Sequence, residues 1–291
     1  AMNISIPNYE ILNFETESLV ISDMGVSKVH SQPLLKALRQ LKLSSWMTKD
    51  EVDEVLSENG LEADSAFEFL KGIIPFRSVE EIYFEKTVIV HSLRKRRYFE
   101  KIFRQELSGI LEFKEFSGDV VESIRGGRCF VVLVCQFYDY NSIKKLHFEL
   151  AKASPQSAIS VCWPMGGFFC IGQPYIAEIG NPCHFCTVDR LANDQSVKHS
   201  KSNWASVLAF CKDKHVSIPF KALSLYQEMI VIGAIIRKVK FFTEIGVARK
   251  YQDDILYVTY LQLSDGRIFE ESNSHWYMCD CLGRQYEKCS A

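Results

Sequence analysis

Two cysteine pairs far apart in the chain constrain its fold more than any other feature. Cys183 and Cys186 are separated by two residues, Cys279 and Cys281 by one, and 92 residues (187–278) lie between the pairs. A turn of that kind lets two sulfurs face one metal ion, and two such turns brought together fill a tetrahedron with thiolates. A shared ion would tie the end of the chain back onto its middle. Four unrelated thiols are the plain alternative. A redox pair at Cys183 and Cys186 is a second, although nothing resembling a thioredoxin unit surrounds it. His184, His275 and Cys289 are further possible ligands. A closed four-sulfur site has no place for water, so its expected role is structural rather than catalytic.

The chain has ten cysteines. Ala1 ahead of Met2 reads as an expression remnant, and no basic-then-apolar signal segment follows it. The expected location is therefore the cytoplasm, where a disulfide framework is not expected. Cys129, Cys135, Cys162, Cys170 and Cys211 sit in apolar stretches and read as core thiols. A net charge of −2 gives no global push toward nucleic acid or anionic lipid. The uncharged run 153–177 is broken by Pro155, Pro164, Pro174 and several glycines, which suits buried strands and turns rather than a membrane span.

At 291 residues there is room for two domains, and the texture of the sequence divides them at 1–82 and 83–291. In the first, 9–14, 17–23 and 26–30 read as strands. Helices are expected over 31–41, with a leucine stripe, over 48–60, with Thr48 and Glu51 as a capping box and Met47 and Val52 as a staple, and over 62–72. A small sheet with three short helices is the outline of a winged helix-turn-helix. From residue 86 strands and helices alternate: strands at 86–93, 109–116 and 128–137, helices at 95–109 and 141–153 with Asn141 as cap. That repetition argues for a largely parallel sheet with helices on its faces. Further on, 203–214 and 225–242 read as helices. The second is apolar nearly all round, so it is deep core or a subunit interface. Residues 254–263 form a strand that meets Asp265-Gly266, a hairpin signal.

Two features bear on ligands. The turn after the strand at 86–93 carries Arg94, Lys95, Arg96 and Arg97 and no glycine. A nucleotide-binding sheet needs a glycine-rich turn there so that phosphates can approach the backbone. The basic run is either a solvated face or a contact for an acidic partner. In the first domain, the helix that would read DNA is "EADSAFEFLKG", whose acids would repel a phosphate backbone. An exposed strand beside an apolar groove suits an extended peptide instead, while Phe67 and Phe69 read equally well as core.

"GNPCHFCTVDR", "NWASVLAF" with "SIPFKALSL", and "HWYMCDCLGR" strongly resemble the McbB family, the zinc-containing B subunits of synthetases that install thiazoles and oxazoles in microcin B. The likeness is specific over 180–225 and 275–284; residues 1–80 are similar in pattern only. It implies an α/β chain: an α+β winged-helix peptide-recognition domain, then a degenerate Rossmann-like domain shaped like ubiquitin-activating enzymes but without their adenylating site. Carried over, the zinc ligands are Cys183, Cys186, Cys279 and Cys281, one structural ion per chain. A precursor's leader would add as a strand along Val26, Ser27, Lys28, Val29 and His30, facing Phe67 and Leu70. The implied partners are that leader peptide, an ATP-using cyclodehydratase of the YcaO type and an FMN-dependent dehydrogenase, with self-association within the complex. Neither ATP nor FMN is expected on this chain alone, and no catalytic residue is assigned to it. Two other functions stay in view: an adenylating enzyme, and a zinc-stapled DNA-binding regulator.

Overall fold

The computed structural model describes residues 3–15, 17–79, 83–93, 96–107, 109–116, 119–197, 204–244 and 254–283. One unit runs through Ile82 and a second begins at Tyr83. Arg94, Lys95 and Cys289 lie outside the described residues.

The first unit holds six short strands and three helices. The strands expected at 9–14, 17–23 and 26–30 form β2 (Glu10–Asn13), β3 (Ser18–Ser22) and β4 (Gly25–Val29), an antiparallel sheet in the order β2-β3-β4. A second antiparallel sheet joins β1 (Asn3–Ser5), β5 (Trp46–Thr48) and β6 (Arg77–Val79). Three-residue strands show no readable alternation, so this sheet was not legible in the sequence. Ser31 caps α1 (Gln32–Leu41) by accepting from the Leu34 N–H. The capping box of Thr48 and Glu51 starts α2 (Lys49–Glu58), and Glu62 caps α3 (Ala63–Lys71). The apolar stripes of the three helices close over the sheets: Leu35, Leu38, Leu56 and Leu70 are fully buried, with Val20 and Val29 among them. The Tyr9 hydroxyl donates to the Leu38 carbonyl inside this core.

The second unit is a three-layer arrangement. Its elements are β7 (Lys86–His91), α4 (Arg96–Glu106), β8 (Leu111–Lys114), α5 (Asp119–Ile124), β9 (Cys129–Val134), α6 (Tyr140–Ala153), β10 (Ala158–Met165), β11 (Phe168–Ile171), β12 (Tyr175–Ile176), α7 (His184–Val197), α8 (Trp204–Lys214), α9 (Leu225–Thr243), β13 (Tyr257–Gln262) and β14 (Ile268–Ser272). The strands follow the order β14-β13-β11-β10-β9-β7-β8, with β12 paired to β10. Side-chain alternation along β7 sends Val88 and Val90 into the core under α5, α6 and α7, and Ile89 into the core under α4 and α9. Both faces are covered, so the strands read as continuous apolar runs.

Two differences from the sequence reading have clear causes. The sheet is mixed, not largely parallel: β8, β7, β9 and β10 are parallel, while β11, β13 and β14 run antiparallel. β10 and β11 are joined by Gly166-Gly167, far too short for the crossover that a parallel pair needs. Asp139, not Asn141, caps α6 by accepting from the Ser142 N–H; the Asn141 amide instead donates to the Lys212 carbonyl on α8. The hairpin signalled by Asp265-Gly266 is present: β13 pairs antiparallel with β14, and the two residues end a four-residue loop between Gln262 and Arg267. Of the two readings of the helix at 225–242, deep core holds: α9 buries Val231, Ile232, Ala234, Ile235, Ile236, Val239 and Phe242 in the core of its own unit, and only its first turn shows large apolar side chains, Leu225 and Tyr226. No described helix is long and apolar enough to cross a membrane.

His147, on the inner face of α6, is fully buried, and neither ring nitrogen has a hydrogen-bond partner among the described residues. It stacks on Tyr175 with centroids 5.2 Å apart and meets Phe185 edge-on. Burial pushes its pKa down to about 3, from 6.5. Above pH 6.5 both folded and unfolded chains carry it neutral. Below that, the unfolded chain takes the proton and the folded one does not, so stability falls as pH falls, by about 1.4 kcal/mol per unit. Between pH 6.5 and 5 this one residue is expected to cost about 2 kcal/mol. His147→Leu should remove that share of the acid sensitivity in urea titrations at the two pH values; an unchanged pH dependence would refute the assignment.

Candidate metal centre and peptide edge

The first cysteine pair is held by buried polar side chains. Asn181 accepts from the Ile176 N–H and donates to the Pro174 and Ile255 carbonyls. The Gln173 amide donates to the carbonyls of Pro182 and Cys183, and accepts from Thr187, which is itself bonded by Asn273. These contacts fix the loop that presents Cys183 and Cys186 at the start of α7. The second pair lies on a short 3-10 turn (Asp280–Leu282), which is closed by the Leu282 N–H to the Cys279 carbonyl and ended by Gly283 at a φ of 65°. Lys144 on α6 pairs with Asp280 at 2.7 Å, and Arg190 on α7 donates to the carbonyl of His275.

All four sulfurs lie within 4.8 Å of one another and could hold a metal ion. Cys183 is 3.3 Å from Cys279 and 4.0 Å from Cys186, and Cys186 is 3.5 Å from Cys281. The edges of a tetrahedron with metal–sulfur bonds of 2.3 Å are about 3.8 Å, so these separations suit one ion. They are far too long for a disulfide. Burial raises the Cys183 thiol, whereas hydrogen bonds from Cys183, Cys279 and Cys281 hold Cys186 far below its ordinary value. Hydrogen bonding to Cys183 also lowers Cys281, to about 7. Burial and mutual repulsion oppose four thiolates this close together, so holding all four ionised needs a cation, and this donor set is compatible with zinc.

His275 is brought close but stands behind the sulfurs. Its Nδ1 is 3.8 Å from Cys186 and 3.7 Å from Cys281, and its Nε2 donates to the Gly180 carbonyl at 2.9 Å. That places it as a hydrogen-bonding neighbour of two ligands. His184 points elsewhere: its Nε2 is 2.8 Å from the Tyr138 hydroxyl, deep in the core. The five thiols expected in the core are all buried. Sequence reasoning missed Gln173, Asn181, Thr187 and Asn273, whose partners are backbone groups brought near only by folding. The single local signal was an asparagine directly before the Pro-Cys step.

In the first unit, β4 is an edge strand that pairs only with β3 among the described residues. The pair Ser22–Gly25 closes a two-residue turn, so the antiparallel alternation directs the backbone of Val26 and Lys28 away from β3. Val26 is 63% exposed, Lys28 and His30 are exposed, Ser27 is half-buried and Val29 is buried. Phe67 and Leu70 share a core cluster with Val29 but are buried, and Lys49 and Lys71 lie over the Phe67 ring. The exposed aromatic residue of α3 is Phe69. Glu62, Asp64 and Glu68 line the solvent side of the same helix, a face that repels a phosphate backbone.

Known proteins share this fold. Residues 4–283 match the family model described as "Microcin B17-processing protein McbB". The Escherichia coli protein of that description is 22% identical over 289 residues, covering 97% of this chain and 96% of its own length. Among solved structures, a chain of the E. coli microcin synthetase McbBCD complex with pro-MccB17 bound is similar at TM-score 0.74 and 19% identity, over 97% of this chain and 100% of that one. The heterocyclase TruD is similar at TM-score 0.56 and 12% identity, over 94% of this chain and 42% of that one.

Proposed function

The chain belongs to the McbB family of microcin B17-processing proteins, and from that premise we propose that it is the non-catalytic, leader-binding subunit of a synthetase forming thiazoles and oxazoles on a ribosomally made peptide. The first unit acts as a winged helix-turn-helix module that takes the leader as an added strand. The second, a degenerate relative of ubiquitin-activating enzymes, holds one structural zinc on Cys183, Cys186, Cys279 and Cys281. An ATP-using YcaO-type cyclodehydratase and an FMN-dependent dehydrogenase supply the chemistry, and this chain, which associates with itself within the complex, brings the peptide to them. The E. coli chain of similar fold is part of the microcin synthetase McbBCD complex with pro-MccB17 bound.

The observation that carries this reading is the free β4 edge, with Val26 open to solvent and its sheet anchored below by Val29, Phe67 and Leu70. Strand addition draws its affinity from main-chain hydrogen bonds along such an edge. The test is binding of a labelled leader peptide to the full chain, followed by fluorescence anisotropy. Lys28→Pro removes an outward N–H at a position where an edge strand tolerates proline. It is expected to weaken binding about tenfold, the loss of one or two hydrogen bonds, with the melting temperature nearly unchanged. Absence of leader binding to the wild-type chain, with or without the partner subunits, would sink the proposal.

A further inference from the structure

A cavity of about 240 Å³ opens where β7 and β9 end. The two strands are neighbours, yet β7 connects through α4 to β8 on one side and β9 through α6 to β10 on the other. α4 packs on one face of the sheet and α6 on the opposite face. That makes the β7–β9 gap the topological switch point, the place where open α/β sheets bind ligands.

The described wall is mostly aromatic and apolar. Tyr98 and Phe99 from the start of α4, Phe169 from β11 and Phe220 from the segment before α9 put four aromatic side chains on it, with Leu93 and Val231 between them. Among the described residues, none on the lining is a lysine, an arginine or a glycine; Arg94 and Lys95, which follow Leu93, lie outside the described residues. Phosphates are held by backbone N–H groups at a glycine turn or by cationic partners. Aromatic walls favour offset or edge-on stacking with another ring, worth about 0.5–1.5 kcal/mol per pair beyond the area buried. The lining also includes Gln136, whose Oε1 is buried without a hydrogen-bond partner among the described residues. An unpaired buried acceptor costs about 1–3 kcal/mol, which an N–H on the bound ring would offset once the amide turns to it.

We propose that this cavity is a binding site for one aromatic ring system, of indole size, in the position where a nucleotide-binding sheet would hold its nucleotide. The ring is either a small free molecule or an aromatic side chain presented by a peptide. This site lies in the second unit and does not depend on the leader-binding edge at β4.

Saturation-transfer NMR on the full zinc-loaded chain, with indole, N-acetyltryptophanamide and ATP as separate probes, tests it. Indole is expected to bind and to be displaced by neither ATP nor leader peptide. Ala222→Trp, at an exposed position on the rim, is expected to weaken indole about tenfold or more with zinc content and melting unchanged. Val231→Phe, which fills the cavity from inside, should do the same and serves if the first variant folds poorly. Binding of N-acetyltryptophanamide as well as indole identifies a chain-borne side chain; binding of indole alone identifies a free molecule. No indole binding, binding indifferent to both variants, or competition by ATP would overturn the assignment. A failed leader-binding assay leaves this result untouched.

Discussion

Cys183→Ala is expected to leave the second unit without its metal and unable to hold its fold. Cys183 is buried and lies 3.3 Å from Cys279, so it joins the loop before α7 to the turn near the end of the chain. Structural four-ligand zinc sites contribute about 10–16 kcal/mol of apparent binding energy, more than the net stability of about 5–15 kcal/mol that a typical domain has. Metal analysis should find one zinc per wild-type chain, and the variant should be insoluble or melt without a cooperative transition. Two controls separate ligation from packing. Cys211→Ala, a core thiol outside the cluster, should cost only about 1–3 kcal/mol and keep the zinc. Cys281→His, at a half-buried position able to supply a nitrogen ligand, should retain zinc with lower affinity. A soluble, metal-free wild-type chain with unchanged melting would refute the zinc assignment.

Leu70→Asp should unfold the first unit and spare the second. Leu70 is fully buried in a core built from residues 4–76, whereas both core clusters of the second unit use residues from Tyr83 onward. A carboxylate placed there without a partner costs several kcal/mol, and a unit of this size has little to spare. Limited proteolysis should digest the first unit and leave a resistant, zinc-containing fragment beginning near Tyr83. Loss of zinc and of protease resistance throughout the chain would show that the two units do not fold independently. On the proposed function the variant is also expected to abolish leader binding, but through unfolding, which is why Lys28→Pro is the cleaner probe of the edge.

The helices of the first unit were legible because local rules fixed them: the leucine stripe of α1, the capping box at Thr48 and the spacing of Phe67 and Leu70 on α3. The parallel half of the large sheet was legible as well, since long apolar runs such as 129–134 alternate with amphipathic helices. Its antiparallel half was not. Whether a strand returns beside its predecessor or crosses over depends on the two-glycine link after β10 and on pairing with β13, some ninety residues later. The cap of α6 was misplaced by two residues because Asp139 and Asn141 are both good caps, and only the nearby Lys212 carbonyl decides which one is used elsewhere.

The sequence alone determined the chemistry that this chain can carry: four thiols in two tight pairs, no glycine turn after the first long strand, and an acidic helix unfit for DNA. Those follow from residue type and spacing, which need no fold to be read. Only the tertiary structure decided that the four sulfurs meet within 4.8 Å, that Phe67 and Leu70 support the β4 edge from inside the core, and that the missing glycine turn is replaced by an aromatic cavity. Each depends on contacts between residues remote in sequence, where burial and pairing across the chain set the outcome and no local pattern records it.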